Sequence, residues 1–212
     1  LAECYDKLVS EGDYDLSPDS VAQRSLKNVL LSYLCAGGQY TQASAQFDTA
    51  SNMSDSISSL FSLVHSGAPT ASSALEVFLN RWQDDPLVTD KWLTVQATDS
   101  QPGALKRIDA LLAHPVFEIK NPNKVYSLIN AFGRSNPVVF HAQDGSGYRW
   151  MAERVAEIDA LNPQVASRLV RAFDSWKQYD EGLQAHAKEA LTKLQAGELS
   201  SDVREIVTKT LL

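Results

Sequence analysis

The chain has 212 residues, of which 44% are hydrophobic and 21% charged, and its formal net charge is -7. That length holds one sizeable core, a single domain over residues 1–212, and the composition is that of an ordinary soluble globular protein. The acidic balance, with no Lys/Arg run and no Gly-rich phosphate loop, argues against a nucleic-acid partner, because phosphate binding needs a clustered basic face.

The apolar runs fall far below membrane-spanning length and no charged-then-apolar leader opens the sequence, so no membrane partner is expected. The chain starts at Leu1 without a methionine, which suits an excised fragment or a processed N-terminus. Leu1 to Gly12 reads as the remnant of a helix anchored by Tyr5 and Leu8. Ser17-Pro18 supplies an N-cap and a first-turn proline, and the helix behind it is expected to turn Ala22, Leu26, Val29, Leu30, Tyr33 and Leu34 inward until Gly37-Gly38 stops it. A shorter helix is expected over Tyr40–Ala50. Asn52 caps the next, with Met53, Ile57, Leu60, Phe61 and Val64 inward and an end at Gly67.

Ala71, Ala74, Leu75, Phe78, Leu79 and Trp82 follow a helical period. Asp85-Pro86 restarts the chain, and Val88, Trp92 and Val95 continue the pattern. Gln101-Pro102-Gly103 is a turn; Leu105, Ile108, Leu111 and Leu112 mark a helix broken at His114-Pro115. Asn121-Pro122 opens a helix buried through Val125, Leu128, Ile129 and Phe132. Asn136-Pro137 begins a short one, Asp144-Gly145-Ser146-Gly147 reads as a loop, and Tyr148 to Leu161 reads as helix with Met151, Val155 and Ile158 inward.

Asn162-Pro163 starts a further helix whose apolar face, Val165, Leu169, Phe173 and Trp176, runs beside a polar stripe of Gln164, Arg168 and Arg171 at i, i+4 and i+7. Such a pairing suits a helix lining a cavity or groove, and equally a core helix whose stripe faces water. The last two helices carry Leu183, Ala187, Leu191 and Leu194, then Val203, Ile206 and Val207. No alternating run marks a strand. The expectation is an all-α chain of about ten helices, stacked as antiparallel pairs into a superhelical armadillo- or HEAT-like array.

Little chemistry is legible. Zinc hydrolysis needs ligands that meet at one ion, usually two histidines one helical turn apart plus a carboxylate, with a further Glu as base. His65, His114, His141 and His186 are far apart, and none lies in a His-Glu-x-x-His motif. Ser146 lacks the glycine spacing and the preceding strand of a nucleophile elbow, so Asp144 is expected to bond nearby amides in a tight turn instead. His141 reads as a hydrogen-bonded core histidine, and Trp82, Trp92, Trp150 and Trp176 as core residues. Cys4 and Cys35 form no Cys-x-x-Cys pair; Cys35 reads as a buried thiol, and a reducing cytoplasm is favoured. No catalytic or metal-binding residue is assigned.

Four runs carry a resemblance: Asp90-Lys91-Trp92 with Gln96-Ala97-Thr98; Asn121-Pro122-Asn123; Ser135-Asn136-Pro137 through Phe140-His141-Ala142 to Asp144-Gly145-Ser146-Gly147-Tyr148; and Asn162-Pro163-Gln164-Val165-Ala166-Ser167-Arg168-Leu169. In this order and separation they resemble the helical C-terminal domain of bacterial aminopeptidase N, a zinc metallopeptidase of the gluzincin type. The resemblance implies an all-α superhelical domain lacking its first helices and separate from the catalytic domain. It also implies a parent enzyme that releases N-terminal residues from peptides with a zinc-bound water, while this domain closes over the catalytic one and encloses the chamber. Gln164 and Arg168 match positions facing that chamber; at Tyr126 relatives often carry a basic residue. The fragment itself is then expected to be inactive and to hold no cofactor, the zinc belonging to the parent enzyme. From composition and periodicity alone, a stand-alone helical-repeat scaffold that binds protein segments fits as well.

Overall fold

A computed structural model describes residues 1–9 and 14–212. Every regular element among these residues is helical, as the periodicity predicts. The chain divides into two compact units, Leu1–Val95 and Gln96–Leu212.

The first unit contains α1 (Ala2–Asp6), α2 (Pro18–Ala36), α3 (Thr41–Thr49), α4 (Met53–His65), α5 (Ala71–Trp82) and most of α6 (Pro86–Ala97). The helix expected from Leu1 to Gly12 is the short α1, and residues 10–12 of that expectation lie outside the described residues. Ser17 Oγ accepts from the Ser20 amide, and Asn52 Oδ1 from the Asp55 amide at 2.9 Å, so two of the expected caps form as read. Asp85 Oδ1 accepts from Leu87 and Val88 N–H and starts α6.

The expected inward face of α2 is a correction. Leu31, Leu34 and Cys35 are buried together with Lys27, whereas Leu26, Val29 and Tyr33 are exposed. Phe61 on α4 is likewise 39% exposed, and Leu63 takes its place in the core. Burial of Cys35 pushes its thiol above the usual value, in keeping with an inert core residue.

A polar network ties α2, α3 and α4 together. Lys27 Nζ donates to Asp55 Oδ2 at 2.8 Å, and both side chains are only 9% exposed. Asn28 and Asn52 donate to the same carboxylate. Gln46 donates to Asn28, to the Asp55 carbonyl and to Ser59, while accepting from the Tyr5 hydroxyl at 2.8 Å. Burial, followed by the nearby Asp55 charge, pushes Tyr5 up to about 12, so it remains a donor.

In the second unit α7 (Ala104–Ala110) runs into a 3₁₀ turn at Leu111–Ala113. Then come α8 (Pro122–Val125), a π-helical turn at Tyr126–Asn130, α9 (Ala131–Ser135), α10 (Pro137–Phe140), α11 (Ser146–Asp159) and α12 (Pro163–Val170). Two 3₁₀ turns, Arg171–Phe173 and Trp176–Gln178, lead to α13 (Glu181–Gln195) and α14 (Ser201–Leu211). The Asn-Pro starts all form as read: Asn121, Asn136 and Asn162 accept from Asn123, Val139 and Val165 N–H. Asn136, 1% exposed, also donates to the Ala97 and Asp99 carbonyls, so one amide caps a helix and closes the turn after α6.

The expected loop at 144–147 is two residues shorter, because Ser146 and Gly147 are already helical in α11. Asp144 Oδ1 accepts from the Ser146 amide at 2.9 Å, and the hydroxyl and amide of Ser146 hold the carboxyl below its ordinary range. α11 packs on α12 and α13, and α14 on α12 and α13. Among them Phe132, Phe140, Tyr148 and Phe173 are buried, with edge-to-face pairs at 5.8 Å (Phe132–Phe140) and 5.1 Å (Phe140–Tyr148).

Candidate functional site

The polar stripe predicted on the helix after Asn162 is where the candidate site lies. Asn162 caps α12 and Pro163 occupies a first-turn position whose missing N–H is an orphan in any helix. Val165, Ala166, Leu169 and Val170 are buried, which fixes the rotation of the helix and leaves Gln164 and Arg168 exposed one turn apart. The α-helix stops at Val170, so the expected continuation to Trp176 is corrected: Phe173 and Trp176 are buried, but from separate 3₁₀ turns. Arg171 opens the first of these turns, and its Nε lies 3.8 Å from Asp174 Oδ2.

Arg168 gains a neighbour that sequence spacing does not reveal. Its Nη1 donates to the Tyr126 hydroxyl at 3.2 Å, across 42 residues. Tyr126 opens the π-helical turn, where the wider ring shifts the register of the side chains relative to an α-helix. Leu128, Ile129 and Phe132 anchor that turn in the core while Tyr126 stays half-buried. The guanidinium is permanently charged and keeps further N–H donors for a carboxylate or a peptide carbonyl. A tyrosine hydroxyl beside it adds polarity without a second positive charge. The sequence singles out Tyr126 only through the resemblance, which leads one to expect a basic residue there.

The other candidates are engaged in the fold. His141 Nδ1 lies 2.7 Å from the Tyr148 hydroxyl, and its ring is 4.0 Å from that of Tyr179. Burial holds His141 below its ordinary pKa and pushes Tyr148 up to about 12, so a neutral imidazole and a protonated phenol share this hydrogen bond. His65 Nε2 lies 3.0 Å from the Val95 carbonyl, and His114 Nδ1 accepts from Val116 N–H. Among the described residues no three His, Cys, Asp or Glu side chains converge as metal ligands. These dispersed donors do not fit a zinc ion. Ser146 bonds Asp144. Trp92, Trp150 and Trp176 are buried, while Trp82 is half-buried.

A family model described as a domain of unknown function (DUF3458_C) with ARM repeats matches residues 1–212. The chain belongs to this DUF3458_C family. Among relatives, this DUF3458_C chain is 37% identical to aminopeptidase N of Escherichia coli (strain K12) over 95% of its length, which is 24% of that protein. It is 34% identical to aminopeptidase N of Caulobacter vibrioides over 100% of its length and 25% of that protein. A solved structure of Legionella pneumophila aminopeptidase A in complex with aspartic acid superposes with a TM-score of 0.89 at 31% identity, covering 99% of this chain and 26% of that one. The DUF3458_C chain thus spans about a quarter of the relatives it matches, in their C-terminal region. No helix among the described residues is long and apolar enough to cross a membrane.

Proposed function

We propose that this chain is the C-terminal helical domain, without its first helices, of a cytoplasmic zinc aminopeptidase that releases N-terminal residues from peptides. The observation that carries this reading is the near-complete match of the chain to the C-terminal quarter of proteins named aminopeptidase N. The zinc, which supplies an activated water when bound, is held by residues of the catalytic domain outside this chain. The helical domain closes over that domain and encloses the substrate chamber. A packed helical wall limits access and excludes water from a site it does not itself build.

Gln164 and Arg168 face the chamber, with Tyr126 steadying the guanidinium. Arg168 takes the carboxylate of a short peptide and Gln164 bonds its backbone; neither touches the scissile bond. In the longer enzyme, Arg168→Met raises KM for short peptides with a free C-terminal carboxylate by roughly tenfold, the worth of one charge-assisted hydrogen bond, and changes kcat little. The same peptides with an amidated C-terminus are unaffected. Steady-state kinetics on both substrate sets checks this; an unchanged KM for the free acids, in a variant of normal stability, contradicts it.

A further inference from the structure

α2 carries two apolar faces. The buried one holds Leu31, Leu34 and Cys35. The other holds Ala22, Leu26, Val29, Leu30 and Tyr33, at i, i+4, i+7, i+8 and i+11, and here Leu26 is 52%, Val29 50% and Tyr33 63% exposed. Single exposed apolar residues are ordinary on any surface, but a stripe in helical register along one side is not. A helix apolar on opposite sides is built to sit between neighbours. α1 packs on α2 yet leaves this stripe uncovered.

The last helix gives the contrast. α14 buries Val203 and Val207, and turns Ser201, Asp202, Arg204, Glu205, Thr208 and Lys209 outward. Glu205 and Lys209 form an ion pair one turn apart. In helical repeats the terminal unit presents a polar outer face and internal units present apolar ones. By that criterion α2 is built as an internal helix, whereas α14 carries no second apolar face.

We infer that the Ala22–Leu26–Val29–Leu30–Tyr33 stripe is the seat of an amphipathic helix supplied by the part of the same polypeptide that precedes Leu1. It rests on the reading of the chain as one piece of a longer protein, and the relatives, of which this chain covers 24–25%, provide ample sequence for it. The seating helix lies along α2 and presents apolar side chains at matching helical spacing, with uncharged residues at the seam, because the stripe carries no charged group to pair.

Thiol accessibility tests this. With the exposed Cys4 replaced (Cys4→Ser), Leu26→Cys, Val29→Cys and Tyr33→Cys are introduced singly into the 212-residue chain and into the longer polypeptide. Each is treated with a maleimide, and the buried Cys35 is the unreactive reference. In the 212-residue chain the new thiols react as fast as Cys4 does in the unmodified chain. In the longer polypeptide they react at least about 100-fold more slowly, reporting only local opening. Circular dichroism identifies any variant that has not folded, and the three positions back one another. Equal reactivity in both, with peptidase activity present, overturns the inference but not the proposed function. Protection in the 212-residue chain together with a dimer in sedimentation assigns the stripe to a second copy and overturns it. Protection in a longer polypeptide that lacks peptidase activity upholds the inference while the proposed function fails. A gene encoding these 212 residues alone overturns both.

Discussion

Replacing Lys27 by methionine lowers the stability of the Leu1–Val95 unit by about 3–5 kcal/mol near neutral pH, the cost of leaving a buried carboxylate without its counter-ion. The methylene stem still fills its place, so the loss reports the ammonium rather than a cavity. Asp55 is the group stranded: its side chain is 9% exposed, and among the described residues the donors to its carboxylate besides Lys27 are the neutral Asn28 and Asn52. Adding Asp55→Asn recovers part of the loss, because no unpaired charge then remains. Chemical denaturation of the single and double variants measures the difference; a K27M variant within about 1 kcal/mol of the parent chain would show that the pair is not isolated from water.

The pH dependence of that loss has a definite sign. Burial alone would raise the Asp55 pKa, but the hydrogen bonds from Lys27, Asn52 and Asn28 and the charge of Lys27 outweigh it and hold the carboxyl below its ordinary value. A group depressed in the folded state contributes stability that is fully present above its unfolded pKa. That contribution is lost as pH falls through the folded one. The parent chain therefore loses stability through Asp55 only in acid, below the ordinary carboxylate range. In K27M the buried carboxyl takes up a proton at higher pH, and the gap between variant and parent narrows as the solution is acidified.

Gly147→Ala is the second large effect, about 3 kcal/mol or more, because an added Cβ meets main chain rather than adjustable side chains. It would lie 2.4 Å from the Phe140 carbonyl oxygen and 2.5 Å from that of Val139. The first turn of α11 rests directly on the end of α10, and separating them disturbs Phe140 and Tyr148, 1% and 0% exposed. Thermal unfolding monitored by circular dichroism checks this; an unchanged Tm would mean that α10 yields freely.

What was legible in the sequence is what local chemistry decides. Asn121, Asn136 and Asn162 each precede a proline, and the side-chain cap plus the fixed φ of the proline start a helix whatever lies around it. The polar positions Gln164 and Arg168 followed from helical spacing in the same way. The inward face of α2 did not, because periodicity reports that a face is apolar and not which neighbour covers it. Two such faces compete on α2, and the one carrying Lys27 is buried where Asp55 accepts from the ammonium and Asn28 donates to the same carboxylate. The end of the loop at 144–147 is not legible, because Gly147, a poor helix former, sits inside α11 at a place where only a glycine fits. The contact between Tyr126 and Arg168 is not legible, because a π-helical turn has no sequence period and only packing brings the two side chains together.

On the proposed function, these helices confine a reaction performed by atoms elsewhere in a longer polypeptide. The most direct measurement is release of the N-terminal residue from a short peptide, with zinc content determined on the same samples, for the purified 212-residue chain and for the longer polypeptide. Zinc-dependent release and stoichiometric zinc are expected in the longer polypeptide, and neither in a folded 212-residue chain. Zinc-dependent release by the 212-residue chain alone would contradict it.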